Sequence, residues 1–213
     1  MRMRKKKNLP QRMERASSVL IPEPEAYRGR WRESFPGYAR LFAELGCGKG
    51  SFTAGTAQAE KDAFLVALER VPDAMIMAME KAVAAELANV RFIDTDVNKL
   101  SEIFADGELD RIYINFCDPW PGKKHAKRRL TSPDFLKLYL TALRPGGQIH
   151  FKTDNAPLFA YSLETLAAAG FKLSEVTEDL HAEGPRGVMT DYEQKFYAEG
   201  KPICRCVATK EEG

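Results

Sequence analysis

Ala39-Arg40-Leu41-Phe42-Ala43-Glu44-Leu45 runs directly into Gly46-Cys47-Gly48-Lys49-Gly50. An apolar run of strand length that ends on a glycine cluster, with a helical pattern starting at Ser51, reads as the first β-turn-α unit of an α/β chain. Working outward, the helix is expected to reach about Glu60, with a strand over Ala63–Glu69. Pro72 suits the first turn of a helix that extends to about Leu87. Val90–Asp94 reads as a third strand, Leu100–Phe104 as a short helix and Asp110–Cys117 as a fourth strand. Ser132 at the N-cap and Pro133 behind it open a helix to about Leu143. Arg144-Pro145-Gly146-Gly147 then reads as a turn, and Gln148–Thr153 as a fifth strand. Asn155 caps a helix ending near Gly170, and strands over Phe171–Thr177 and Ile203–Thr209 close the sheet. Strict alternation of this kind predicts right-handed crossovers and a parallel sheet with helices on both faces.

A chain of 213 residues is long enough for one domain with a real core. Residues 1–35 carry little apolar periodicity and are punctuated by Pro10, Pro22 and Pro24, so they read as a basic N-terminal arm and lead-in. Residues 36–213 then form a single domain. Hydrophobic content of 44% with 29% charged residues is ordinary for a soluble protein. A net charge of only +2 provides no global field for polyanions, so any cationic surface must arise from local clusters. No apolar stretch approaches membrane-spanning length, which argues against a membrane partner. The arm residues Arg2, Arg4, Lys5, Lys6 and Lys7 are not followed by the apolar run of a secretory signal. Cys47, Cys117, Cys204 and Cys206 lack C-x-x-C spacing and read as reduced thiols in a cytoplasmic protein. His125, His150 and His181 lack metal-ligand spacing, so no metal is expected.

Ligands of such a sheet bind beyond the carboxyl ends of the strands. Acidic residues collect there: Glu44 at the end of the first strand, Glu69 at the second, Asp96 after the third, Asp118 at the fourth and Asp154 at the fifth. A carboxylate ending the second strand is placed to hold both hydroxyls of a ribose. The spacing G-x-G-x-G, through Gly46 and Gly48, is not the G-x-G-x-x-G that brings a pyrophosphate to a helix N-terminus. Glu44, two residues before it, would repel a pyrophosphate and suits the cationic ligand S-adenosylmethionine. Lys49 is followed by Gly50 rather than Ser or Thr, which excludes a phosphate-binding P-loop.

Asn115-Phe116-Cys117-Asp118-Pro119-Trp120-Pro121-Gly122 completes the pattern. A carboxylate, a proline and an indole at a strand end can present one face to a flat ring, with Asp accepting from ring N–H and amino groups. Trp120 either stacks on such a ring or packs beneath the loop. Lys123, Lys124, Lys127, Arg128 and Arg129 follow at once. A cationic cluster beside a ring-sized pocket points to phosphates next to a base, and so to a nucleic-acid substrate.

Glu44–Gly50 resembles the first motif of class I S-adenosylmethionine-dependent methyltransferases. Asn115–Thr131, His150–Asn155 and Thr190-Asp191-Tyr192-Glu193-Gln194-Lys195-Phe196 resemble the bacterial tRNA (guanine-N7)-methyltransferases, over nearly the whole chain. That resemblance implies a Rossmann-like, mostly parallel seven-stranded sheet whose last strand is antiparallel, and methylation of the variable-loop guanine of tRNA. It implies that Glu44, Glu69, Asp96 and Asp118 sit at the cofactor, with Asp118 catalytic. It further implies that Asp154, Thr190, Asp191, Tyr192 and Glu193 contact substrate. The family lysine four residues after the motif aspartate is replaced here by Gly122, with Lys123 adjacent. Two other readings compete: an RNA-binding protein on an inactive methyltransferase fold, and a small-molecule methyltransferase. The four strand-end carboxylates disfavour the first, and the basic run disfavours the second. Monomer and homodimer remain equally open.

Overall fold

A computed structural model describes residues 6–211. Arg2, Arg4 and Lys5 of the basic arm lie outside the described residues. Seven strands, β1 (Arg40–Leu45), β2 (Ala63–Glu69), β3 (Val90–Asp94), β4 (Leu109–Asn115), β5 (Leu143–Thr153), β6 (Phe171–Thr177) and β7 (Cys204–Lys210), form one sheet in the order β3-β2-β1-β4-β5-β7-β6. The first five pair in parallel, while β7 runs antiparallel to both β5 and β6. The expected architecture is therefore present, with the strand order reversing between β1 and β4. Around the sheet lie α1 (Leu9–Arg15), α2 (Trp31–Ser34), α3 (Ser51–Ala59), α4 (Pro72–Ala84), α5 (Leu100–Ile103), α6 (Pro133–Ala142), α7 (Ala156–Ala168) and α8 (Asp191–Ala198). None of these helices is long and apolar enough to cross a membrane.

Both faces of the sheet are apolar, as a parallel sheet covered on each side requires. Leu41, Ala43 and Leu45 of β1 share one core with residues of α2, α5, α6 and α7. Phe42 and its neighbours on the other face pack with Met75, Ile76 and Met79 of α4 and Phe52 of α3. The lead-in joins both cores. Trp31 is fully buried, donates from Nε1 to the Ile103 carbonyl at 3.0 Å and stacks near Tyr27, Phe35 and Phe104. Ile21 N–H donates to the Phe92 carbonyl at 2.9 Å, so the lead-in extends the β3 edge.

Two local expectations differ from the structure. The turn expected at Arg144–Gly147 lies inside β5: Leu109 pairs with Leu143 but Arg111 pairs with Gln148, so the Pro-Gly-Gly residues loop out as an irregularity in a longer strand. Ser132 occupies the N-cap of α6, but its hydroxyl donates to the Lys127 carbonyl at 3.3 Å rather than accepting from the helix. Asn155 does cap α7, its Oδ1 accepting from Leu158 N–H at 2.8 Å.

Candidate active site

A cavity of about 650 Å³ opens at the carboxyl ends of β1, β2 and β4, where the strand order reverses. The β1–α3 turn forms its floor. Gly46 and Gly48 have φ of 80° and 56°, conformations that L side chains rarely adopt. Gly50 (φ 78°) lies so close to α4 that an added Cβ would meet Ala78 Cβ at 2.4 Å. This turn therefore keeps its backbone bare towards the cavity while α3 and α4 close together behind it.

Glu69, at the end of β2, is fastened on both oxygens: Oε2 accepts from Gly48 N–H at 2.9 Å and Oε1 from Val71 N–H at 3.0 Å. Glu69 lines the cavity. Asp96 Oδ1 accepts from the Asn98 backbone N–H at 3.0 Å and the Asn98 amide at 2.6 Å, with Arg70 at 3.5 Å from Oδ2. Glu44 is buried and accepts from Thr53 Oγ1 at 2.6 Å. Burial pushes its carboxyl up to about 7, opposed by the Thr53 hydroxyl, Asn115 and Lys152. Asn115, beside Glu44, is buried; its amide lies close enough to favour the charged Glu44 carboxylate, but neither its nitrogen nor its oxygen reaches a partner at full hydrogen-bond geometry. An enclosed amide with both functions unspent, on the wall of a cavity, fits a ligand that supplies a donor and an acceptor.

Asp118 stands exposed on the same wall. The loop that carries it is strained: Phe116 and Trp120 have φ of 51° and 41°, at a cost of about 1–2 kcal/mol for each such residue. Backbone and side-chain bonds hold it in place. Phe116 N–H donates to the Lys152 carbonyl at 2.9 Å, and Arg129 donates to the Pro119 and Trp120 carbonyls at 3.1 and 3.0 Å.

A family model described as "Putative methyltransferase" matches residues 38–206. Over 211 residues the chain is 44% identical to the tRNA (guanine-N(7)-)-methyltransferase of Geobacillus kaustophilus (strain HTA426), covering 99% of this chain and 97% of that one. The chain belongs to the tRNA (guanine-N7)-methyltransferase family. Its relative of that name in Lactococcus lactis subsp. cremoris (strain MG1363) is 43% identical, with 98% and 97% covered. Among solved structures, the 16S rRNA methyltransferase KamB superposes with a TM-score of 0.68 at 16% identity, covering 86% of this chain and 94% of that one. A mutant 16S rRNA (adenine(1408)-N(1))-methyltransferase from Catenulisporales acidiphilia, solved with cosubstrate SAM, gives 0.61 at 14%, covering 90% and 93%. These likenesses are of fold.

In this methyltransferase the cavity gathers Glu44, Gly46, Gly48, Glu69, Asp96 and Asp118, together with Trp120, Lys127, Arg128, Thr190, Asp191 and Tyr192. The other residues anticipated at the substrate are not among those that line the cavity. Lys123 and Lys124 are exposed on the basic loop, away from the cavity lining. Arg129 is turned inward, its guanidinium held by the loop carbonyls and lying 4.3 Å from the Tyr161 ring centre. Asp154 pairs with Lys201 at 2.6 Å. Glu193 is fully buried and pairs with Lys152 at 2.6 Å. Trp120 is half-buried with the Arg128 guanidinium 4.9 Å from its ring centre, so one indole face is already covered. Asn115 and Lys152 were missed as single residues; the signal for Asn115 was an amide directly after the apolar Ile112–Ile114 run, and Lys152 continues the alternation of Gln148 and His150 along β5. Among the described residues no His, Cys, Asp and Glu cluster could hold a metal.

Proposed function

We propose that this chain transfers the methyl group of S-adenosylmethionine to N7 of the variable-loop guanine of tRNA. One observation carries the reading: a single cavity is lined by the strand-end carboxylates, Asp118 among them, and by Lys127 and Arg128. Bound there, the cofactor would supply an electrophilic methyl on a sulfonium. The donor set fits that ligand. Glu69 offers acceptors to a ribose diol, and Glu44 with Asn115 offers a carboxylate and an amide to an amino-acid end. Asp96 and Asp191 already face Arg70 and Lys81, which leaves Glu44, Glu69 and Asp118 as the carboxylates of the lining that favour a cation in the cavity.

Guanine N7 carries an available lone pair, so no residue has to remove a proton from it. What the chain must provide is placement, which can contribute several kcal/mol. Asp118 accepts from the guanine N1–H and exocyclic amino group, holding the base and stabilising the positive charge that the ring gains. Lys127 and Arg128 hold the flanking phosphates. The base must leave its stack to reach Asp118.

The test is to incubate the protein with labelled cofactor and unmodified tRNA, then digest the product to nucleosides. N7-methylguanosine is expected, and label on any other nucleoside refutes the reading. Asp118→Ala should lower kcat by roughly 100-fold or more while S-adenosylmethionine affinity changes only a few-fold. Near-normal turnover by Asp118→Ala at saturating tRNA would remove Asp118 from this role.

A further inference from the structure

Behind the cavity, between the end of β5 and the start of α8, lies a buried cluster of three ionisable side chains. Lys152 Nζ donates to Glu193 Oε2 at 2.6 Å and to the Val188 carbonyl at 3.0 Å. His181 Nε2 lies 2.9 Å from Glu193 Oε1. The backbone N–H of Arg186 donates to His181 Nδ1 at 3.2 Å, which places the ring hydrogen on Nε2 and makes His181 the donor to Glu193. Glu193 Oε2 also accepts from Thr190 N–H at 3.1 Å, and Thr190 Oγ1 accepts from Glu193 N–H at 3.0 Å. One carboxylate therefore gathers donors from β5, from the 181–186 turn and from the first turn of α8.

Glu193 and His181 are buried, as is Lys152. A carboxylate in such a place is costly unless paired and fully hydrogen-bonded, and this one is both. It has no route to a ligand. Its immediate predecessors do: Thr190, Asp191 and Tyr192 line the cavity, and Tyr192 is 54% exposed. The other ties on this segment are packing contacts and one long ion pair. Val188 packs against the α3–α4 core, Tyr192 stacks near Phe196, and Asp191 reaches Lys81 only at 3.4 Å, while Glu183, Pro185, Arg186 and Gly187 are exposed.

We infer that Lys152, Glu193 and His181 form a buried brace that sets Thr190-Asp191-Tyr192 against the RNA, so that Glu193 is a positioning residue and does not touch the substrate. The inference rests on the proposed tRNA methylation. It gives Lys152 and His181 a part in RNA recognition although neither faces the RNA, and it reassigns Glu193 from contact to support.

His181→Leu, which removes the donor to Glu193, and His181→Gln, whose amide can replace it, decide the matter. We expect His181→Leu to raise the KM for tRNA about tenfold or more, since small misplacements at a binding segment are costly. The kcat should change less than about threefold, and S-adenosylmethionine affinity measured by calorimetry without RNA less than about twofold. Trypsin should cleave faster after Arg186 in the folded variant. His181→Gln should recover most of both effects. An unchanged tRNA KM in His181→Leu overturns the brace. So does a parallel loss of cofactor affinity and kcat, which would make the cluster a general support of the fold. If His181→Leu fails to fold, Glu193→Asp, which keeps the charge and shortens the reach, must show the same coupled rise in KM and Arg186 cleavage, or the inference fails. Absence of N7-methylguanosine from the wild-type digest overturns the functional reading instead. That outcome is distinguishable, because the cleavage comparison needs no turnover.

Discussion

Glu44 sits with Thr53 Oγ1 at 2.6 Å and with Asn115, Lys152, Glu69 and Cys47 around it. Burial holds its carboxyl up at about 7, well above the ordinary glutamate value, and the neighbouring Glu69 charge adds to the rise. A raised folded-state value means that stability present in acid is lost as pH climbs through about 7. A cation in the cavity reverses this preference, because it stabilises the charged carboxylate. Binding of S-adenosylmethionine near neutral pH should therefore expel part of a proton from Glu44. Calorimetry in two buffers of different ionisation enthalpy reads that proton directly. Affinity should rise from roughly pH 6 to pH 8, and Glu44→Gln should abolish the proton release and weaken binding. A pH-independent affinity without proton release would show that Glu44 stays charged throughout. Glu44, Glu69, Asp96 and Asp118 were legible in the sequence as cavity-lining residues because the crevice lies at the carboxyl ends of β1 to β4, whereas Asp154, past the end of β5, turns to Lys201 instead. Glu193 was not, since a motif match places a residue near a substrate without saying which way its side chain turns.

Elements were legible in proportion to their periodicity. β1–β3 and the helices between them follow from alternating apolar runs and glycine or proline punctuation. The lead-in was illegible for the opposite reason: its turns are too short to show a period, and its contribution to the core comes from single large side chains. Trp31 is the clearest of these, with no exposed surface and its indole N–H satisfied. Trp31→Ala should cost about 3–5 kcal/mol, from lost burial and the cavity left behind. Thermal or denaturant unfolding checks this, and a loss under about 1 kcal/mol would mean that the lead-in is only loosely attached. Cofactor affinity well below the transition should persist, because Trp31 lies on the sheet face served by α2 and α5 rather than at the strand ends. Helix α8 carried a signal that the apolar pattern hid. Thr190 and Glu193 form a capping box, with both reciprocal bonds made. A threonine followed three residues later by glutamate marks a helix start even where the helix itself is polar.

At the scale of the whole molecule, a net charge of +2 is too small to draw a polyanion, and the acids at the strand ends would repel one. Attraction for tRNA must come from where the cations stand rather than from their number. Lys127 and Arg128 are exposed at the cavity wall, whereas Arg129 is committed to the Pro119 and Trp120 carbonyls and braces the loop. The basic run therefore divides into exposed cations at the cavity wall and one residue that holds the motif in shape. Lys127→Gln with Arg128→Gln should weaken tRNA binding and flatten its salt dependence. The slope of log K against log salt should fall by roughly 0.7–0.9 for each lost phosphate contact. Cofactor affinity without RNA should stay within about twofold, because neither residue is among the carboxylates and amides that fit that ligand. Arg129→Gln should behave differently, lowering kcat through a displaced Asp118 while leaving the salt slope close to that of the parent. Gly122 allows a gain in the same assay. Its φ of −79° and a nearest contact of 3.5 Å for an added Cβ accept a side chain without strain. Gly122→Lys adds a cation to the loop that should tighten tRNA binding and steepen the slope by up to about one contact. If the double variant kept both its affinity and its slope, the basic loop would be a solvated surface and the RNA grip would have to lie elsewhere on the molecule.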